Sequence, residues 1–270
     1  MEQAAELSID RLAEAAGVSQ PTVLRMLRAL GFSGYKDFKY QLVSELAQSE
    51  AEQQGEAEPM FGYTLRKQDT LEEIPSYMTA TAAGMMEETL KNFSVKTYRK
   101  TVEAIRKARL IDIYSVENSG VAAQDLLAKL LYLGLPCRYF SDSYYQRISA
   151  GRLTDEDVAV GISYSGASKD TVDAMRTAKR SGAVTIVITN FRDSPICRYA
   201  DILICTSQEQ FIYGNAIYSR MTQLLIVDMI YMGIIASDYE HYVGLLDQGE
   251  KIVRERAYPY GAEKRKKKKP

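Results

Sequence analysis

Between residues 110 and 205 short β-rich runs alternate with amphipathic stretches, and this alternation leaves few folds open. The runs are Leu110 to Val116, Cys137 to Phe140, Val158 to Ile162, Val184 to Thr189 and Ile202 to Cys205, with helical patterns near 120–133, 143–151 and 169–181 between them. Strands separated by connections of that length cannot pair as tight hairpins. They run parallel, with the intervening helices covering the faces of the sheet. An α/β doubly wound parallel sheet is expected. Helical patterns flank it: Leu71 to Phe93 and Val95 to Ala108, broken at Asn92–Phe93–Ser94, and then 214–236 and 239–256. The most apolar stretch, Leu224 to Ala236, is interrupted by Asp228 and is short for a bilayer. It reads as a buried helix. With no basic-then-apolar leader at the N-terminus, a cytoplasmic protein without a membrane partner is expected.

Upstream the pattern changes. Ser8 is an N-cap candidate, and Ile9, Leu12, Ala13 and Ala16 then repeat at helical spacing up to Gly17. Gly17 stands where a helix end needs a left-handed residue, with Val18 as an apolar plug. Ser19 can cap a second helix that tolerates Pro21 in its first turn and carries Val23, Met26, Leu27 and Leu30 on one side before Gly31. Two helices joined by so short a turn cross steeply, which requires small Ala13, glycine in the turn and branched Val23. This is a helix-turn-helix in sequence form. Gln20, Thr22, Arg25 and Arg28 project from the other face, where Gln and Arg can read purine edges. Lys36 and Lys39, near Tyr35, are placed to hold phosphates, and Ser19 at the helix start belongs to the same DNA-binding set. The net charge of the whole chain is only −1, so any DNA contact must be a local patch. Residues 19–40 supply one, with Arg25, Arg28, Lys36 and Lys39 against Asp37. The same hairpin could also pack on another protein.

The phrase LAEAAGVSQPTVLRMLRALGFSGYKDFK, through its Ser19–Thr22–Val23–Arg25 core and its Gly31–Phe32–x–Gly34–Tyr35 turn, resembles the RpiR family of bacterial regulators. The resemblance implies double-stranded DNA as a partner. It also implies some thirty residues ahead of this helix pair, whereas seven precede Ser8, so residues 1–46 are expected to be an N-terminally incomplete DNA-binding segment. Residues 47–70, polar and punctuated by Gly55, Pro59 and Gly62, read as a linker. Residues 71–258 form the α/β domain. Residues 259–270 are a basic tail with six cations from Lys264 to Lys269, expected to be disordered.

Two strand ends in the α/β domain are dense in small hydroxyl residues. Ser115–Val116–Glu117–Asn118–Ser119–Gly120 follows the first run, and Ser163–Tyr164–Ser165–Gly166–Ala167–Ser168 follows the third. Open parallel sheets bind ligands at such carboxyl ends. An anion there needs unpaired backbone N–H groups and donors without bulk, and a helix N-terminus behind Ser and Gly provides both. Simple helix capping needs only one serine per helix. Neither loop has GxxxxGK[ST] or GxGxxG, which removes nucleoside triphosphates and dinucleotides.

The segment ISYSGASKDTVDAMRTAKRSGAVTIVIT resembles the SIS (sugar isomerase) domain, a flavodoxin-like fold, whose phosphate loop Ser-x-Ser-Gly-x-Ser/Thr is matched by Ser163, Ser165, Gly166 and Ser168. In the first loop, usually Gly-x-Gly-x-Ser, Ser119 matches while Ser115 and Glu117 replace the glycines. The resemblance implies a phosphorylated sugar as effector, held by Ser119, Asn118, Ser163, Ser165, Gly166 and Ser168. Glu117 would be compatible only if it bonds a sugar hydroxyl. A regulator of this kind is expected to be a homodimer or homotetramer, without enzyme activity, cofactor or metal. The alternative is a sugar-phosphate isomerase, or a ligand-binding SIS protein without DNA binding. Glu117 and Glu209 would be its candidate bases, and the lone His241 reads as a surface or packing residue. Cys137, Cys197 and Cys205 lack metal-like spacing and read as reduced thiols.

Overall fold

Strand order explains where a ligand can sit. The computed structural model describes residues 9–30, 32, 34, 35, 38, 58–60, 63–65, 70–206, 220–254 and 256, which divide into units Met1–Pro75 and Ser76–Pro270.

In the first unit, α1 (Ile9–Ala15) and α2 (Gln20–Ala29) meet at Gly17, whose φ of 65° lies in the left-handed region that favours glycine. There the Val18 N–H donates to Ala13 O at 3.0 Å, satisfying a terminal carbonyl of α1. Ala13, Val23 and Leu27 form a small core on which Ile9, Leu12, Phe32, Tyr35 and Phe38 pack. Part of the expected apolar pattern is not buried: Val18, read as a plug, and Met26 and Leu30 of the α2 stripe are 43%, 52% and 64% exposed. Two helices that touch along one seam cover only the i, i+4 pair Val23 and Leu27, so the flanking apolar positions stay in water. Within the stretch read as a linker, β1 (Glu58–Met60) and β2 (Tyr63–Leu65) pair antiparallel, with Met60 opposite Tyr63. Ser8, Gly31, Lys36, Lys39, Glu209 and the basic tail lie outside the described residues.

The second unit holds all but the first two residues of α3 (Ile74–Lys91), then α4 (Val95–Lys107), the two helices separated where the Ser94 Oγ accepts the Thr97 N–H at 3.2 Å. There follow β3 (Ile111–Tyr114), α5 (Gly120–Tyr132), β4 (Cys137–Tyr139), α6 (Ser143–Ala150), β5 (Val158–Ile162), α7 (Lys169–Arg180), β6 (Val184–Thr189), β7 (Ile202–Cys205), α8 (Arg220–Ser237) and α9 (Tyr239–Arg254). All five strands are parallel in the order β4-β3-β5-β6-β7, the flavodoxin-like winding. Side chains alternate between two cores. Ile111, Ile113, Val158, Val160, Ile162, Ile186 and Ile188 join Leu126, Ile226 and Ile230 on one face. Tyr114, Ala159 and Val187 meet Ala174, Met175 and Ile196 on the other. The smaller second-face residues let α7 approach closely: a Cβ at Gly161 would lie 2.6 Å from Met175 Cγ.

By length and composition α8 could cross a membrane. Here it lays Ile226, Val227, Ile230 and Ile234 into the first core, and Asp228 pairs with Lys129 of α5. His241 is exposed on α9, its ring edge-on to Tyr242 at 5.0 Å. All three cysteines are free, and burial pushes the Cys137 and Cys205 thiols up to about 11.

Candidate functional site

The winding direction reverses between β3 and β5, so the crevice beyond their carboxyl ends is bordered by residues 115–120 and 163–168. The two hydroxyl loops therefore flank one place. They are in direct contact: the Tyr164 N–H donates to Ser119 Oγ at 3.3 Å.

Inside the loops the serines accept rather than cap. Ser163 Oγ accepts the Gly166 N–H at 3.2 Å, and Ser165 Oγ accepts the Ala167 N–H at 3.2 Å. Ser119 and Ser168 stand at the N-cap positions of α5 and α7, yet neither side chain makes a capping bond. A hydroxyl whose oxygen accepts a backbone N–H keeps its own proton to donate. Ser119, Ser163 and Ser165 are thus three preset donors beside two helix N-termini, where the positive ends of the helix dipoles favour an anion.

The conformation of the second loop depends on Gly166, at φ 63°. Its carbonyl accepts the Ile196 N–H at 3.0 Å, and Ser194 lies where a side chain would go. From β6, Thr189 Oγ1 and the Asn190 N–H both donate to the Tyr164 carbonyl, each at 3.1 Å, while the Tyr164 ring stands edge-on to Phe191. The first loop is held from α6: Gln146 Nε2 donates to the carbonyls of Ser115 at 2.7 Å and Phe140 at 2.6 Å. Ser115 Oγ lies 3.2 Å from the Tyr139 hydroxyl. These supports were not legible in sequence, because they come from segments distant along the chain. A further residue missed was Gln223 of α8, whose Nε2 reaches Ser119 Oγ at 3.5 Å.

Asn118 lies in a short 3-10 turn, Glu117–Ser119. Glu117 is exposed and has φ 54°, the one non-glycine left-handed residue among those described. A side chain in that region costs about 1–2 kcal/mol, and glycine adopts it freely. Glu117→Gly should therefore raise stability by up to about 1 kcal/mol, after glycine's own entropy cost. It should also tighten inorganic phosphate binding by about two- to fivefold, the worth of one exposed like charge. Urea unfolding and a phosphate titration check both, and weaker phosphate binding in the glycine variant would mean that Glu117 helps the ligand.

In the first unit Gln20, Arg25 and Arg28 are exposed along α2, with Thr22 half-buried beside them. Ser19 Oγ lies 2.9 Å from Thr22 Oγ1, which also accepts from Arg25 Nη2 at 3.4 Å. Arg25 lies opposite Val23 and Leu27 on α2 and Arg28 to one flank, whereas Gln20, three residues before Val23, stands on their side of the helix at its exposed start.

Known proteins resemble this chain in two segments. Residues 1–49 match the model of the helix-turn-helix domain, rpiR family, and residues 104–233 match that of the SIS domain. A Caldanaerobacter subterraneus protein, named an uncharacterized HTH-type transcriptional regulator, is 31% identical over 92% of this chain and 86% of its own length. A Haemophilus influenzae protein with the same description is 30% identical over 86% and 80%. Among solved structures, Vibrio vulnificus NanR complexed with ManNAc-6P superposes with a TM-score of 0.69 at 22% identity, covering 96% of this chain and 89% of that one. The sugar isomerase domain of an RpiR transcription factor from Sphaerobacter thermophilus gives 0.61 at 20%, covering 66% and 99%.

Proposed function

Since the chain belongs to the rpiR family of helix-turn-helix transcriptional regulators with a SIS domain, we propose that it binds operator DNA through α2 and senses a phosphorylated sugar at the crevice between the two hydroxyl loops. The observation that carries the sensing half is the hydrogen-bond polarity of the loops. Ser119, Ser163 and Ser165 each accept a backbone N–H and so offer a proton, and Ser168 at its helix start makes no capping bond. The phosphate sits against Ser119, Ser163, Ser165, Ser168 and the Gly166 backbone, and Asn118 and Glu117 border the sugar. That NanR is described in complex with ManNAc-6P supports the ligand class. The sugar acts as an effector and is not turned over, in keeping with the relatives named as transcriptional regulators.

On the DNA side, Gln20, Thr22, Arg25 and Arg28 contact base edges, while Ser19, Lys36 and Lys39 contact phosphates. One recognition helix gives little affinity, so the working unit is a homodimer or homotetramer whose readers sit on half-sites roughly 34 Å apart. Sugar binding shifts the equilibrium between arrangements of these readers.

The experiment is a thermal-shift screen of hexose 6-phosphates, including ManNAc-6P, followed by gel shifts on the upstream DNA with and without the binder. A ligand at about 100 times its Kd adds about 2.7 kcal/mol of stability. Ser165→Ala should remove a charge-assisted bond and weaken binding by roughly 1.5–3 kcal/mol. Arg25→Ala should abolish the gel shift and leave the thermal shift intact. A protein that binds no phosphosugar, or whose serine variant binds as wild type, contradicts the sensing half. Turnover of a binder in an isomerase assay would favour the enzyme reading instead.

A further inference from the structure

The Ser119 hydroxyl connects three elements. It starts α5, its oxygen accepts the Tyr164 N–H of the β5 loop at 3.3 Å, and it accepts from Gln223 Nε2 of α8 at 3.5 Å. A hydroxyl oxygen has two lone pairs, and these two donors take both. The proton is then all that Ser119 has left to offer. The second observation lies at the other end of the same side chain. Gln223 is only 1% exposed, and its Oε1 has no hydrogen-bond partner among the described residues. A buried amide with an orphaned acceptor is costly in a core otherwise built of Ile226, Val227 and Ile230. Leucine or methionine would fill that position on α8 without leaving a polar atom unpaired.

We propose that Gln223 is a positioning residue for the anion site: its amide N–H fixes Ser119 as an obligate donor toward the ligand's phosphate. The inference rests on the phosphosugar reading above and adds to it a residue from α8, outside both loops. Without the amide, the Ser119 hydroxyl rotates to other acceptors, and part of its time as a phosphate donor is lost. The carboxylate of Gln223→Glu would reverse the bond, taking the Ser119 proton and adding a negative charge next to the anion.

The test titrates inorganic phosphate into the full chain by thermal shift and calorimetry, for wild type, Gln223→Met, Ser119→Ala and their double variant. Gln223→Met should weaken phosphate binding by about five- to tenfold, one hydrogen bond's worth of orientation. The double variant should bind no more weakly than Ser119→Ala alone, because the glutamine acts through that hydroxyl. Unliganded Gln223→Met should melt at or above the wild-type temperature, which a purely structural glutamine would not allow. Wild-type phosphate affinity in Gln223→Met overturns the proposal, as does a double variant that multiplies the two losses. Should Gln223→Met fail to fold, the nearly isosteric Gln223→Glu decides: it must lose phosphate binding at neutral pH, and retention refutes the assignment. If Ser163→Ala abolishes phosphate binding while Gln223→Met leaves it untouched, only the role of Gln223 falls. If wild type gives no response to phosphate, the anion site falls with it.

Discussion

Gly166→Ala is expected to be the most damaging small substitution in the α/β unit. A Cβ there would stand 2.0 Å from Ser194 Oγ, 2.5 Å from Ser194 Cβ and 2.9 Å from Thr189 Oγ1. Serine is too short to swing aside, and its hydroxyl is engaged with the Phe191 carbonyl at 2.6 Å. Either the loop or the segment after β6 must move, and the Ile196 N–H to Gly166 O bond resists that movement. Overpacking of this kind costs about 1–3 kcal/mol, and the left-handed backbone adds about 1–2 kcal/mol for a side chain. Together these predict a loss of roughly 2–5 kcal/mol in urea unfolding, with phosphate binding abolished because the Ser163–Gly166 bond goes as well. Gly84 of α3 provides the contrast: nothing lies within 4 Å of its Cβ position, so Gly84→Ala should stabilise the chain by up to about 1 kcal/mol. If both alanines behaved alike, the account of the second loop would be wrong.

The second large effect is expected at Asp112, a fully buried carboxylate in the middle of β3. Its Oδ2 receives Arg138 Nη2 at 3.0 Å, the Tyr114 hydroxyl at 2.8 Å and the Ser149 hydroxyl. Burial, together with the neighbouring charge on Asp112, raises the Tyr114 pKa far above its ordinary value, so the phenol stays protonated as the donor. The carboxylate thus joins β3 to edge strand β4 and to α6, the same elements that hold Ser115 through Tyr139 and Gln146. Asp112→Ala strips three donors of their acceptor at once. Breaking a buried pair costs about 3–5 kcal/mol, and with the Arg138 side chain 36% exposed the lower end applies, roughly 3 kcal/mol. The variant should also bind phosphate more weakly, since the first loop loses its footing. Asp112→Asn, which keeps an acceptor, should lose less. Denaturant midpoints and phosphate titrations on both variants check this, and an alanine variant within 1 kcal/mol of wild type would remove Asp112 from any structural role.

How much of this was legible beforehand differs by level. The runs Val158–Ile162, Val184–Thr189 and Ile202–Cys205 coincide with β5, β6 and β7, because a buried parallel strand needs an unbroken apolar run bounded by turn residues. The helix pair at Gly17 was equally legible, since its signals are local: one left-handed glycine and an i, i+4 seam. Two readings were incomplete for the same reason. The helical spacing put Val23, Met26, Leu27 and Leu30 on one side of α2, and of these only Val23 and Leu27 are buried. The polar stretch after residue 47 gave no sign of the β1–β2 hairpin, whose three-residue strands carry too little pattern to register.

The sequence alone determined the α/β class, the helix pair and the density of serines at two strand ends, because periodicity, glycine stereochemistry and residue type act over a few neighbours. Only the tertiary structure decided what those serines do. The order β4-β3-β5-β6-β7 brings loops more than forty residues apart together, so that Tyr164 donates to Ser119 and places the two sets of hydroxyls at one crevice. The same folding brings Ser194 under Gly166, Asp112 onto Arg138 and Gln223 onto Ser119. These contacts join residues separated by 26 to 104 positions in the chain. No local pattern encodes such pairings, because they arise from which strand lies beside which in the folded sheet.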